Sequence, residues 1–231
     1  MAATGQVSPS SEHSASGQAP WVFRESIARP VQQRSEQSFL RFLDVAEQLL
    51  EGCSWTALTV QQVVEAADAS VGSFYNRFED KLALLNCLED RLAADFETSI
   101  QALIDECDRF EELLADVDGI VVSLFLRLCL QRKGVIRALD LAQRLDPSGA
   151  GQQGFAGAGQ VFDRTLYCFA DYLADKPDYF DNASTVDIHR ALRETFWLTR
   201  ENLLYGEGAE NIQPLHASLR QHFFASLRFP V

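Results

Sequence analysis

Residues 69–81 read ASVGSFYNRFEDK. Thirteen positions hold one glycine, two neighbouring aromatics, one arginine and one lysine, with hydroxyl and amide side chains between them. Cations, small polar groups and a backbone that can come close suit an element laid against nucleic acid. The stretch looks like the second half of a DNA-reading helical hairpin. Yet the chain carries a formal net charge of -13. Arg77 and Lys81 are its only basic residues between positions 42 and 90. That acidity excludes a protein that coats nucleic acid by bulk charge, and leaves room for a local contact surface.

The elements that must position this stretch read as helices. Apolar residues Phe39, Phe42, Leu43, Ala46, Leu49 and Leu50 fall at steps of three and four, which predicts a first helix over 35–51. Thr59 and Gln62 have capping-box spacing ahead of a second helix over 60–67, with Val60, Val63, Val64 and Ala67 on its inner face. After a break at Asp68-Ala69, Ser70 caps a third helix over 71–77, in which Val71, Phe74 and Phe78 share a face. Asp80 caps a long fourth helix over 81–106. Helices of about two turns do not stand alone in water, so the two short ones must pack on the first and on each other. That is a helix-turn-helix, whose second short helix enters the major groove.

Residues 58–85, LTVQQVVEAADASVGSFYNRFEDKLALL, resemble the DNA-binding signature of the TetR family of transcriptional regulators. Thr59, Ala66, Ala67, Ser70, Gly72, Ser73, Tyr75, Phe78 and Lys81 stand at the matching positions, and AEQLLEGCSW (46–55) matches the end of the family's first helix. Four positions depart from the pattern: Asp68 and Ser54 replace glycines, Ala69 a valine and Arg77 a histidine. Asp tolerates a left-handed backbone better than most residues, so the turn at Asp68 survives with some strain.

The resemblance implies roles residue by residue. Ser70, Val71, Gly72, Ser73, Tyr75 and Asn76 would face double-stranded DNA. Gly72 would let the backbone approach, Val71 would meet a thymine methyl, and Ser73 and Asn76 would bond to base edges or phosphates. Tyr75 would donate to a phosphate. Arg77 adds a cation beside the phosphates, and Thr59 and Lys81 would meet phosphate at helix N-termini. Phe74 and Phe78 read as core. Arg24, Arg29 and Arg34 precede the first helix and would reach phosphate or the minor groove. So few cations per subunit point to a homodimer on a palindromic operator.

The resemblance divides the chain into an N-terminal arm (1–34), a helix-turn-helix domain (35–80) and a helical ligand-binding and dimerisation domain (81–231), all-α throughout. The arm is low in complexity and reads as disordered. Further helical segments lie near 118–145, 160–175, 185–206 and 212–228. The last two would build the dimer interface through Leu192, Phe196, Leu203, Leu204, Leu215, Leu219, Phe223 and Leu227. The middle helices offer Phe125, Leu128, Cys129, Phe162, Leu166, Phe169 and Phe196 for a pocket. With 16 phenylalanines in the chain, an apolar or aromatic small-molecule effector follows. The function so implied is a repressor released from its operator by such a ligand. The alternative is a helical ligand- or protein-binding dimer without sequence-specific DNA binding.

Other motifs fail their context. GAGQQG (149–154) follows no predicted strand, so it reads as a loop and not a dinucleotide site. Four histidines and five cysteines form no zinc spacing and no catalytic set, so no enzyme, no metal and no cofactor is expected. The thiols read as reduced and buried. The apolar run 119–130 is too short to span a bilayer, and the first twenty residues lack signal-peptide character, so a cytoplasmic protein without a membrane partner is expected.

Overall fold

Apolar stripes at helical spacing account for most of the architecture. The computed structural model describes residues 33–145, 152–180, 183–206, 208 and 210–228, and among these there is no strand. The helices are α1 (Gln33–Gly52), α2 (Val60–Ala66), α3 (Val71–Tyr75) and α4 (Lys81–Arg109). A 3-10 segment (Glu111–Asp116) then leads into α5 (Val117–Gln131) and α6 (Lys133–Leu145). The last four are α7 (Gln152–Ala174), α8 (Pro177–Phe180), α9 (Thr185–Leu204) and α10 (Ile212–Arg228). None of these helices is long and apolar enough to cross a membrane.

Two aromatic clusters organise the core. In the first, Phe42 stands edge-on to Phe74 and Phe78 at 5.7 and 5.9 Å, and Phe39 stacks on Phe78 at 5.4 Å. All four rings are buried, which anchors short α3 to α1. In the second, Phe96 of α4 stacks on Phe162 of α7 at 4.4 Å, and Phe125 of α5 and Phe196 of α9 close around them. Helix α9 sits centrally, packed by α5, α7 and α10. Burying such rings contributes about 2–3 kcal/mol each.

Helix α6 lies on α1, and both pack against α4. Arg132 spans the junction, donating to Glu47 of α1 and Asp95 of α4 at 2.5 Å each. Arg91 of α4 adds a 2.6 Å bond to Asp44. The Glu51 carboxylate accepts from the Gly134 backbone N–H at 3.2 Å, so α1 caps the start of α6. Burial pushes the Glu47 carboxyl above its usual range, against the lowering by Arg91 and Arg132.

The segment expected as one helix over 118–145 is two, divided at Arg132. The break turns the Arg132 side chain onto two carboxylates, an arrangement apolar periodicity does not register. Helix α7 starts at Gln152, so residues 152–154 of the GAGQQG stretch are helical, and 149–151 lie outside the described residues. Glycine's low helix propensity hid that turn, and docking of α7 on α4 and α9 outweighs it. The expectation for the arm 1–34, with Arg24 and Arg29, falls outside the described residues except that 33 and 34 are helical.

Candidate nucleic-acid interface and cavity

The hairpin is set by its caps. Thr59 accepts from the Gln62 N–H at 3.2 Å while the Gln62 side chain accepts from the Thr59 N–H at 2.8 Å, the reciprocal capping box expected. Ser70 accepts from the Ser73 N–H at 3.1 Å and starts α3, and Asp80 accepts from the Ala83 N–H at 2.7 Å and starts α4. Between α2 and α3 the chain turns at Asp68 with φ 49°, the left-handed backbone where glycine would be at ease.

These constraints leave one face of α3 open. Ser70, Val71, Gly72, Tyr75 and Asn76 are exposed, while Phe74 and Phe78 are wholly buried. Val71 and Tyr75, one turn apart, are left 42% and 53% exposed, which suits a surface that meets a groove. Thr59 is exposed at the start of α2.

Two of the expected contacts are held differently. The Lys81 ammonium donates to the carbonyls of Trp55 at 2.8 Å and Leu58 at 2.9 Å, and lies 4.1 Å from the centre of the Trp55 ring. Burial lowers its pKa. Lys81 therefore fastens the α1–α2 loop, and two of its three N–H groups are engaged there. Arg77 folds back, its Nη1 donating to the Ser73 carbonyl at 2.8 Å and hydroxyl at 3.1 Å. Ser73 is thereby held half-buried. No pattern of charge in the sequence distinguishes a lysine that clamps a loop from one that awaits a phosphate. The neighbouring Trp55 was the available signal.

A cavity of about 500 Å³ opens between α4, α6, α7 and α9. Of the residues expected to line it, Phe162, Leu166 and Phe196 do. Phe125, Cys129 and Phe169 are instead sealed in the core at 0% exposure, and Leu128 is buried beside them. Burial pushes the Cys129 thiol up to about 12, which leaves it inert. The polar lining went unforeseen: Glu89 from α4, Asp140 and Gln143 from α6, Asp163 from α7, and Arg193, Trp197 and Arg200 from α9. The last three stand at i, i+4 and i+7, so their shared face was legible in the sequence. Asp140 pairs with Arg200 and accepts from the Tyr205 hydroxyl. The Arg200 guanidinium lies 4.5 Å over the Trp197 ring.

Of the residues expected at a dimer interface, Leu192, Phe196, Leu203, Leu204, Leu219 and Phe223 lie within the chain's own core. Leu215 and Leu227 are half-buried. Val186, Leu198 and Phe224 face outward from α9 and α10. Of the thiols, Cys168 is exposed, Cys53 half-buried and the other three buried.

Residues 42–88 match the family model described as bacterial regulatory proteins, tetR family. That span takes in α2, α3 and their caps. None of the curated proteins compared matches the chain. The fold is similar to that of Salmonella enterica GusR, with a TM-score of 0.57 and 13% identity over 87% of this chain and 100% of that one. It is similar also to a putative TetR-family transcriptional regulator from Mesorhizobium loti, with a TM-score of 0.57 and 15% identity over 85% of this chain and 96% of that one.

Proposed function

We propose, for a chain whose residues 42–88 are a TetR-family regulatory domain, that it is a homodimeric repressor released from a palindromic operator by a small ligand. One observation carries the reading: the open face of α3, where Ser70, Val71, Gly72, Tyr75 and Asn76 are exposed around a rigid aromatic anchor. A helix of five residues held by Phe74 has no packing reason to expose Val71 and Tyr75. Reading then rests on polar side chains, a close backbone at Gly72 and the N-terminus of α2 at Thr59, with little help from a basic field. Lys81 supports this surface by fixing the loop ahead of α2, and keeps one N–H for a phosphate.

The dimer would form through the outward faces of α9 and α10, with Leu198 and Phe224 as apolar contacts. Leu192, Leu219 and Phe223 form the layer beneath them. Ligand in the cavity would act by population shift, favouring a dimer whose two α3 helices are spaced wrongly for successive major grooves. It can move that equilibrium only by its difference in affinity for the two states. Helix α6 is suited to carry the shift, since Ile136, Leu139 and Asp140 line the cavity while Gly134 rests on α1.

Selection of genomic fragments by the purified protein, followed by binding at several salt concentrations, tests the reading. Enrichment of a two-fold symmetric site bound by two subunits supports it. The absence of any enriched fragment at low salt would leave a helical binding dimer whose hairpin no longer reads DNA, a reading to which the net charge and the strained Asp68 turn lend some weight.

A further inference from the structure

We propose that the cavity takes an amphipathic carboxylic acid, whose carboxylate is held by Arg193 and Arg200 and whose apolar body lies over Phe162, Leu166 and Phe196. The inference rests on the reading of the cavity as the effector site and adds the chemical class of the effector.

The argument is an account of donors and acceptors. Asp140 is committed, pairing with Arg200 and accepting from Tyr205. Asp163 lies 3.1 Å from His189 Nε2 without a hydrogen bond between them, and half of its side chain is exposed. Glu89, the third carboxylate of the lining, is only 4% exposed. Two guanidiniums keep donors to spare. Arg193 reaches Asp163 only at 3.9 Å, beyond hydrogen-bonding range, and half of its side chain is exposed. Among the described residues it makes no hydrogen bond. Arg200 has Asp140 as its carboxylate partner, and each guanidinium carries five N–H groups. Burial lowers the Arg200 pKa.

A ligand that fits must therefore bring acceptors to the α9 side of the cavity. A neutral hydrocarbon would bury Arg193 and Gln143 without partners, which is costly. A cation would meet two guanidiniums beside the carboxylates, and would find one aromatic face of Trp197 already covered by Arg200. A carboxylate can take Arg193 in bidentate fashion and a free edge of Arg200, with geometry a point charge does not offer. Below that rim the aromatic floor sets the other end: Phe162 and Phe196 lie 5.5 Å apart at their centroids and are backed by Phe96. A cavity of about 500 Å³ suits a body of medium size, either a phenyl ring on a short chain or a medium alkyl chain.

Isothermal titration calorimetry on the full chain decides the matter, with 4-phenylbutyrate and octanoate as probes, their primary amides as neutral controls and octylamine as the cation. The expected result is that each carboxylate binds at least about tenfold tighter than its amide, and that Arg193→Gln removes most of that advantage while Arg193→Lys keeps part of it. Arg193 is half exposed, so an unchanged melting temperature separates loss of binding from loss of fold. Amide and carboxylate binding alike, or octylamine binding best, overturns the carboxylate and leaves the cavity as a ligand site. No heat from any of the probes overturns both the carboxylate and the effector reading of the cavity.

Discussion

Gly134 lies against the backbone of Leu50: a Cβ built on it would stand 2.6 Å from the Leu50 carbonyl carbon and oxygen. Backbone on backbone, this contact has no soft side chain to yield, so helices α6 and α1 approach this closely only because position 134 is glycine. Gly134→Ala is expected to destabilise the protein by about 1–3 kcal/mol, read as a lower urea midpoint, through forced separation of the two helices. An unchanged midpoint would show that the junction gives way freely.

The two roles within the hairpin separate by mutation. Lys81→Ala leaves two carbonyls without their donor and is expected to cost about 1–3 kcal/mol of stability, measured by urea unfolding. Tyr75→Phe removes an exposed hydroxyl, so the melting temperature should hold while affinity for the operator falls by about fivefold to tenfold. If Lys81→Ala left stability untouched and weakened only DNA binding, the loop-clamp role would be wrong.

Asp68→Gly should stabilise the protein by about 1 kcal/mol, because the residue occupies a left-handed backbone at φ 49°. It also removes a carboxylate from the turn before α3, so DNA affinity should rise as well. Differential scanning calorimetry and a binding titration read the two effects independently.

A pH series tests the junction between α1, α4 and α6. The Glu47 carboxyl is held above its usual range, first by burial, with Arg91 and Arg132 pulling it down. For an acid whose folded pKa is raised, the stabilising contribution is full below the unfolded value and is lost as pH rises through the folded one. Removing one of the lowering cations through Arg132→Gln should raise the Glu47 pKa further. The variant should then regain stability, relative to the native chain, as pH falls from about 7 to about 5. Parallel unfolding midpoints across that range would sink the assignment.

With Arg77 folded onto Ser73 and Lys81 holding a loop, few cations remain for phosphates at each α3. Operator affinity should therefore decline gently with salt, with a log–log slope of about -0.9 for each phosphate neutralised. A slope as steep as that of strongly basic binders would mean that residues preceding α1 supply the missing cations.

Much of this was legible in residue order. The caps at Thr59, Ser70 and Asp80, the burial of Phe74 and Phe78 and the left-handed turn at Asp68 follow from short-range chemistry, where spacing alone fixes the partner. Cavity and core were less separable. Phe162 and Phe125 have equal claims as hydrophobes, and only the packing of α7 against α4 decides that one faces space and the other does not. The leucine stripes of α9 and α10 pointed inward for the same reason. Long-range polar pairs such as Arg132 with Glu47 leave no periodic mark at all.

Two of the three tryptophans carry a further consequence. Trp55 sits beneath Lys81 in the hairpin, and Trp197 beneath Arg200 at the cavity mouth. Each indole is capped by a cation, but Trp55 is buried and Trp197 half exposed. The molecule thus holds two intrinsic optical probes of different colour, a bluer one in the helix-turn-helix and a redder one at the cavity. With Trp21 replaced by phenylalanine, emission from one unlabelled chain would report which end of the protein responds first when DNA or a candidate ligand is added.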